Sequence, residues 1–396
     1  MRIANCLTVL LILVSCASAD ESSWRKRMRE ANRLDQQGRY GEAQSLYQEA
    51  VNEAEKSGPS DPRLAESLNN LGAHYFYCGK YDQAEPLYRR ALEAWKTSRG
   101  EAHRDLAFTM NNLAALYRAQ GRYEEAEPLY AGALEVLRKT SGPDSLDAGI
   151  SLNNLAELYR TEGKYDRAEI VARRALEIAE RAAGPESANA ATSLHTLAAI
   201  CRDQGHREEA LAMLNRTLAI QEKALGLDHP LVATTLGNLA EIYTAQGDLE
   251  KAEALARRVL ALREKMVGPK HPNIAVSLNN LAQIERLQGR YADAEPLYRR
   301  AITIWRETLG PEHPDLAKGL NNLGDLYFVA GRNSAAERLF SKALDILENA
   351  LGQEHPDVVS ASRNLSRVYR AQGRHRKAEQ LEARFRGLKN TAASLP

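Results

Sequence analysis

The chain has 396 residues, 53 lysines and arginines against 52 aspartates and glutamates, and a formal net charge of +1 at pH 7. That balance excludes a chain-wide field for nucleic acid or an anionic surface, so any recognition by charge has to be local. A composition that is 44% hydrophobic and 27% charged is that of a soluble, folded protein.

The first predicted element is a leader. MRIANCLTVLLILVSCASAD carries one early positive charge, an apolar run from Leu7 to Val14 and then small residues, which is the layout of a secretory signal. The run is too short to span a bilayer permanently. Two processing sites overlap. Ala17-Ser18-Ala19 before Asp20 is an A-x-A site for ordinary signal peptidase, so that residues 1–19 are removed. Leu13-Val14-Ser15-Cys16 resembles a bacterial lipobox, in which the signal ends before Cys16 and this cysteine becomes the lipidated first residue. Both lead to an exported chain, periplasmic or secreted, and the second anchors it to a membrane. With Cys6 and Cys16 set aside, only Cys78 and Cys201 remain, and neither CxxC nor a zinc-type Cys/His spacing occurs. A disulfide scaffold is excluded.

From Asp20 onward the chain repeats. Glycine recurs at 79, 121, 163, 205, 247, 289, 331 and 373, with Gly38 one step ahead, and an alanine follows each of them at 43, 84, 126, 168, 210, 252, 294, 336 and 378. Leucine occupies 71, 113, 155, 197, 239, 281, 323 and 365, and a second glycine series runs through 58, 100, 142, 184, 226, 268, 310 and 352. A period of 42 residues must be read before any domain is assigned.

Residues 268–310 show the content of one unit. Gly268 suits a left-handed C-cap, and His271-Pro272 ends the loop with proline placed for a first helical turn. Ile274, Leu278, Leu281, Ala282 and Ile284 then recur at helical spacing to about Leu287, where Gly289 breaks the pattern. Tyr291 to about Thr308 repeats it with Ala294, Leu297, Tyr298, Ala301, Ile302 and Trp305. The small residue at 294 lets two antiparallel helices approach near the turn. Pro86, Pro128 and Pro296 are expected near the start of second helices, where a missing amide hydrogen costs least. The pattern predicts nine helix-turn-helix units, eighteen helices, over residues 20–386, and a polar tail over 387–396.

LNNLAxLYxxQGxYxxAEPLYxRAL followed by LGxxHP resembles the tetratricopeptide repeat in its 42-residue form, similar to the repeats of kinesin light chains, over roughly residues 24–386. The resemblance implies an all-α fold, an α-solenoid of TPR units forming a right-handed superhelix, and a protein partner held in its concave groove. The first unit lacks the asparagine pair, and His195-Thr196 and Gly237-Asn238 replace it in the middle units.

The asparagines are the candidate site. At about 100° per residue, Leu278, Leu281, Ala282 and Glu285 share one side of a helix and Asn279 and Asn280 the other, which keeps the amides out of the core. The wall so predicted holds Asn69, Asn70, Asn111, Asn112, Asn153, Asn154, Asn238, Asn279, Asn280, Asn321, Asn322 and Asn364. Six residues beyond the second position stand Arg118, Arg160, Arg202, Arg286 and Arg370, with Phe76 and Phe328 in other units. Amides that bond a peptide backbone and guanidinium forks that grip carboxylates suit an extended, acidic segment of a partner. The competing account has the amides bonded between units and the arginines balanced by Glu157, Glu241 and Asp325. On the first account, alanine at Arg118, Arg160 and Arg202 weakens binding and leaves melting unchanged.

Catalytic chemistry is not expected. His103, His229, His271, His313 and His355 share one loop position in different units and cannot converge on a zinc ion. No GxSxG, HExxH, Walker or dinucleotide pattern occurs, and carboxylate pairs such as Glu124-Glu125 lie on helix surfaces. The basic run Arg374-His375-Arg376-Lys377 reads as a solvated cap without the aromatics of a nucleic-acid platform. The expectation is therefore an exported, non-enzymatic adaptor without cofactor or metal, with a protein partner and no nucleic acid. The alternatives are an envelope lipoprotein organising a membrane-associated assembly, an enzyme with a site between repeats, and self-association through apolar groups near Trp24 and Met28.

Overall fold

In the computed structural model, residues 23–386 are described, so the leader, Cys16 and the tail 387–396 lie outside the described residues. The described chain is helical without strands and divides after Pro185 into two compact bodies. The first holds α1 (Ser23–Gln36) with α2 (Tyr40–Glu55), α3 (Pro62–Tyr77) with α4 (Tyr81–Arg99), α5 (Arg104–Ala119) with α6 (Tyr123–Thr140), and α7 (Leu146–Glu162) with α8 (Tyr165–Ala183). The second holds α9 (Ala188–Gln204) with α10 (Arg207–Leu225), α11 (Pro230–Gln246) with α12 (Leu249–Val267), α13 (Pro272–Leu287) with α14 (Tyr291–Thr308), α15 (Pro314–Val329) with α16 (Asn333–Leu351), and α17 (Pro356–Ala371) with α18 (His375–Arg386). These are the eighteen helices in nine pairs that the repeat predicts.

The lattice explains the pairing. The alanine after each turn glycine, from Ala43 to Ala378, has no exposed surface, so each pair closes at its turn over a single methyl group. The leucine series from Leu71 to Leu365 is buried throughout. The turn glycines take the left-handed conformation, Gly205 at φ 91° and ψ 3° for example. Gly268 does not: it has φ 80° but ψ 167°, a region essentially restricted to glycine, which ends α12 by swinging the chain outward toward the next pair. Pro86, Pro128 and Pro296 also differ from expectation. Each is the sixth residue of its helix, past the first turn, so the ring removes a regular intrahelical bond there.

The loop histidines are N-caps. Nδ1 of His103, His229, His271, His313 and His355 accepts the backbone N–H two residues on, at 3.3, 3.2, 3.1, 3.0 and 3.1 Å. The proline after the last four removes a donor that would have no partner. Asp61, Ser145 and Ser187 cap α3, α7 and α9. A cap of this kind is worth about 1 kcal/mol. Trp24 and Met28 are each 4% exposed, and Trp24 Nε1 donates to Ser67 Oγ at 2.8 Å, so neither offers the apolar surface that self-association would use.

Candidate functional site

Within each body, first helices of neighbouring pairs touch one another: α3 meets α5 and α5 meets α7, and in the second body α13 meets α15 and α15 meets α17. The asparagine positions lie where these helices meet. The amides are therefore not clear of the interior, as a single helical wheel suggests. Asn69, Asn70, Asn111, Asn112, Asn153, Asn238 and Asn279 are all buried, while Asn154, Asn280, Asn321, Asn322 and Asn364 keep part of their surface.

They form a ladder with a step of 43 residues. In the first body Asn112 Nδ2 donates to Asn69 Oδ1 at 2.9 Å, while Asn111 Nδ2, outside that step, donates to Ser151 Oγ, 40 residues on, at 2.7 Å. In the second, Asn322 donates to Asn279 at 2.9 Å and Asn364 to Asn321 at 3.1 Å. Asn238 bonds His195 Nε2 in the same register, so the unit that departs from the asparagine pattern keeps the ladder. The bonding leaves Asn111 Oδ1 and Asn280 Oδ1 without a protein partner.

The arginine series is not uniform. Arg160 is 6% exposed and bonds Glu157 Oε2 at 2.8 Å. Arg202 holds Glu241 at 2.8 Å, Arg286 lies 3.3 Å from Asp325, and Arg370 holds Glu382 at 2.8 Å. Arg118 stands in the same register to Glu157 as Arg202 does to Glu241, but Glu157 holds Arg160 instead. What remains to Arg118 is a bond to the buried Tyr130 hydroxyl and a 3.4 Å contact from Nη1 to Thr161 Oγ1, and its buried Nε has no partner. Phe328, at the arginine position of its own unit, lies under the Arg367 guanidinium, 4.8 Å from the ring centre.

A second motif escapes the sequence reading. The tyrosines placed with the packed leucines reach the preceding pair with their hydroxyls: Tyr117 to Glu85 at 2.9 Å, Tyr159 to Glu127 at 2.7 Å and Tyr327 to Glu295 at 2.8 Å. Arg122, Arg167 and Arg332 cover the same rings at 4.0, 4.1 and 3.9 Å. Burial, and then the bond to Glu85, pushes the Tyr117 phenol up to about 12. Burial also acts on Glu85, but bonds from Arg122, Tyr117 and Arg89 overcome it and hold the carboxyl below its usual range. The available signal was the glutamate that follows the turn alanine in AEPLY, in step with the tyrosine. Where Glu285 replaces tyrosine it is buried between Arg257, at 2.7 Å, and Arg290.

One cluster has the order of a nucleophilic site. Asp35 Oδ1 lies 2.8 Å from His74 Nδ1, and His74 Nε2 lies 3.7 Å from Cys78 Sγ. Burial, with the Asp35 charge adding to it, pushes the Cys78 thiol up to about 12, so the group is a thiol and not a thiolate at neutral pH. Its place as C-cap of α3, at the negative end of the helix dipole, acts in the same direction. Cys78 and Cys201 are both buried, and neither is in a disulfide. Among the described residues, no three histidine, cysteine, aspartate or glutamate side chains form a group able to hold a metal ion, and no helix is long and apolar enough to cross a membrane.

The sequence matches a family model described as tetratricopeptide repeat over residues 34–97, 63–138, 105–181, 163–223, 189–265, 231–304, 273–349 and 317–384. No curated protein matches the chain. Among solved structures, a kinesin light chain protein of Podosopora anserina with nearly identical TPR-like repeats is 28% identical, covering 51% of this chain and 96% of its own, with a TM-score of 0.43. A Rap protein complexed with Competence and Sporulation Factor is 18% identical with a TM-score of 0.61, over 93% of this chain and 98% of its own. Aspartyl phosphate phosphatase F from Bacillus subtilis is 17% identical with a TM-score of 0.55, covering 96% of each chain. These last two likenesses bear on the fold.

Proposed function

We propose, for a chain that belongs to the tetratricopeptide repeat family, a non-enzymatic role as a protein-protein interaction scaffold that holds an extended segment of a partner against the amide-bearing face of its first helices. The observation that carries this reading is unmet hydrogen-bonding capacity on that face, at Asn111 Oδ1 and Arg118 Nε in the first body and Asn280 Oδ1 in the second. Buried polar groups are normally paired. All three atoms are covered in the free protein, so a partner's backbone completes them as these side chains turn outward, its N–H donating to an amide oxygen and a carbonyl or carboxylate accepting from Arg118. The acidity asked of the partner is confined to that point, because Arg160, Arg202, Arg286 and Arg370 already hold carboxylates of their own chain.

Panning a random peptide display library against the protein tests this. Enriched peptides are expected to bind at least about tenfold more weakly to an Asn111→Ala/Arg118→Ala variant, the size of one or two lost hydrogen bonds to a charged or amide group. They should bind unchanged to Arg138→Ala, whose exposed guanidinium pairs with Glu135 on α6. Equal binding to all three proteins, or a library that yields no binder, removes the reading.

Export belongs to the same proposal and rests on the residues from Met1 to Asp20. Mass spectrometry of the N-terminal peptide from cells is expected to show either a free amine on Asp20 or a lipid-modified Cys16. An intact Met1 terminus on the whole population would sink it.

A further inference from the structure

We propose that a shelf of aromatic rings at the α3–α4 turn reads a proline in the partner's segment, with an acidic residue beside it. This rests on the reading that the amide-bearing face holds such a segment, and it names what the first body selects. Residues 75–81, YFYCGKY, put four rings into seven positions. Phe76 and Tyr77 each stand seven residues beyond an asparagine of α3, Asn69 and Asn70, so they continue the same strip of the helix to within about 20°. The Phe76 ring lies 5.7 Å from Tyr77, edge-on at 63°, and 5.7 Å from Tyr81 at the start of α4, tilted by 38°. Tyr77 is 36% exposed, and Phe76 and Tyr81 keep part of their surface.

Stability does not account for Phe76. Arg118, at the same position of α5, bonds the hydroxyl of Tyr130, twelve residues on. Tyr88 is the counterpart of Tyr130, and with a phenylalanine at 76 its hydroxyl is buried without a protein partner. Phe328, the other aromatic at this position, is followed twelve residues on by Phe340, which needs no donor. At Phe76 the fold thus forgoes a bond that arginine makes in the next unit, and a local loss of this kind marks a functional position.

Ring chemistry and charge together select the occupant. A ring face is a poor acceptor, so a peptide N–H laid on it goes unpaired, whereas proline has none. The extended backbone of a proline-rich segment keeps its carbonyls free, and phenol hydroxyls at the edge of the shelf can donate to them. Lys80 in the turn reaches Gln44 Oε1 at 3.5 Å and the Tyr75 ring, and Arg118 on the neighbouring α5 has hydroxyl partners, so neither holds a carboxylate. Asp82 is the one acid in residues 75–84. Two cations against one carboxylate turn away a basic guest and favour an acidic residue next to the proline.

Fluorescence anisotropy on the chain from Asp20 onward, which contains every described helix, tests it with a labelled peptide of prolines followed by glutamates. This peptide is expected to bind at least about tenfold more tightly than versions with leucine or tryptophan for proline, or with lysine for glutamate. Phe76→Arg and Tyr77→Ala should each weaken it by at least about tenfold. Phe76→Arg should melt no lower than the parent, since a guanidinium at 76 can serve the Tyr88 hydroxyl. Peptides enriched from the display library separate this proposal from the one it rests on. If they lose affinity for Asn111→Ala/Arg118→Ala yet bind Phe76→Arg as they bind the parent, the scaffold reading stands and the proline shelf falls. The shelf also falls if the proline peptide shows no saturable binding, if any control peptide matches it, or if either variant binds it undiminished. A lower melting temperature for Phe76→Arg, or displacement of the peptide by a short thymidine oligonucleotide at lower concentration than by unlabelled peptide, overturns it as well.

Discussion

Alanine in place of Arg160 is expected to destabilise the first body by about 3–5 kcal/mol, the cost of leaving a buried charge without its partner. Arg160 Nε and Nη2 both donate to Glu157 Oε2, at 2.9 and 2.8 Å, and the two side chains are only 8% and 2% exposed. Removing the guanidinium takes both of these donors from a carboxylate that lies among packed helices. This corrects the expectation that Arg118, Arg160 and Arg202 can be truncated together with melting unchanged: of the three only Arg118 lacks a carboxylate partner, its bonds going to the Tyr130 and Thr161 hydroxyls. A Glu157→Leu/Arg160→Met double variant should recover most of the loss, because the desolvation of both ions is then avoided. Denaturant unfolding, with amide exchange on α7 as a local reading, checks both. A midpoint for Arg160→Ala equal to the parent's would mean the pair contributes nothing and the site is wetter than its geometry implies.

Glu66→Gln is expected to stabilise the protein at pH 8 by about 1–3 kcal/mol and to change little near pH 4.5. Burial, and then the neighbouring Asp105 charge, pushes the Glu66 carboxyl up to about 7, from 4.5, with Arg25 opposing. The folded state thus favours the protonated acid. For a group raised on folding, the stabilising contribution is fully present below the unfolded value and disappears as pH rises through the folded one. Between roughly pH 4.5 and 7 the parent should therefore lose stability that the glutamine variant keeps. Melting temperatures of the two proteins across that range decide it: a difference that stays constant with pH would show that Glu66 is not the titrating group.

Glycine, alanine and leucine lattices were legible because each acts through local geometry. A turn needs positive φ, a close crossing needs a methyl group, and a buried stripe needs helical spacing, so the 42-residue step yielded the helices and even the limits of α13 and α14. The asparagines were half legible. A helical wheel places Asn279 and Asn280 opposite Leu278 and Leu281, but it shows one helix by itself, and the burial of Asn69, Asn111 and Asn279 comes from the first helix of a neighbouring pair. His195 was read as a break in the wall, yet its imidazole keeps the ladder bond to Asn238, since the register asks for a polar atom and not for a particular residue.

By itself, then, the sequence determined the repeat, the pairing of helices and the face on which polar groups gather, all set by forces acting within one unit. Only the tertiary structure decided which of those groups are already satisfied. Arg118 and Arg160 occupy the same repeat position, and what separates them is that Glu157, on the next first helix from Arg118, lies one turn before Arg160 and bonds it instead. Competition of that kind depends on which donor reaches a shared carboxylate with better geometry and less exposure to water, and it arises only once neighbouring helices are side by side.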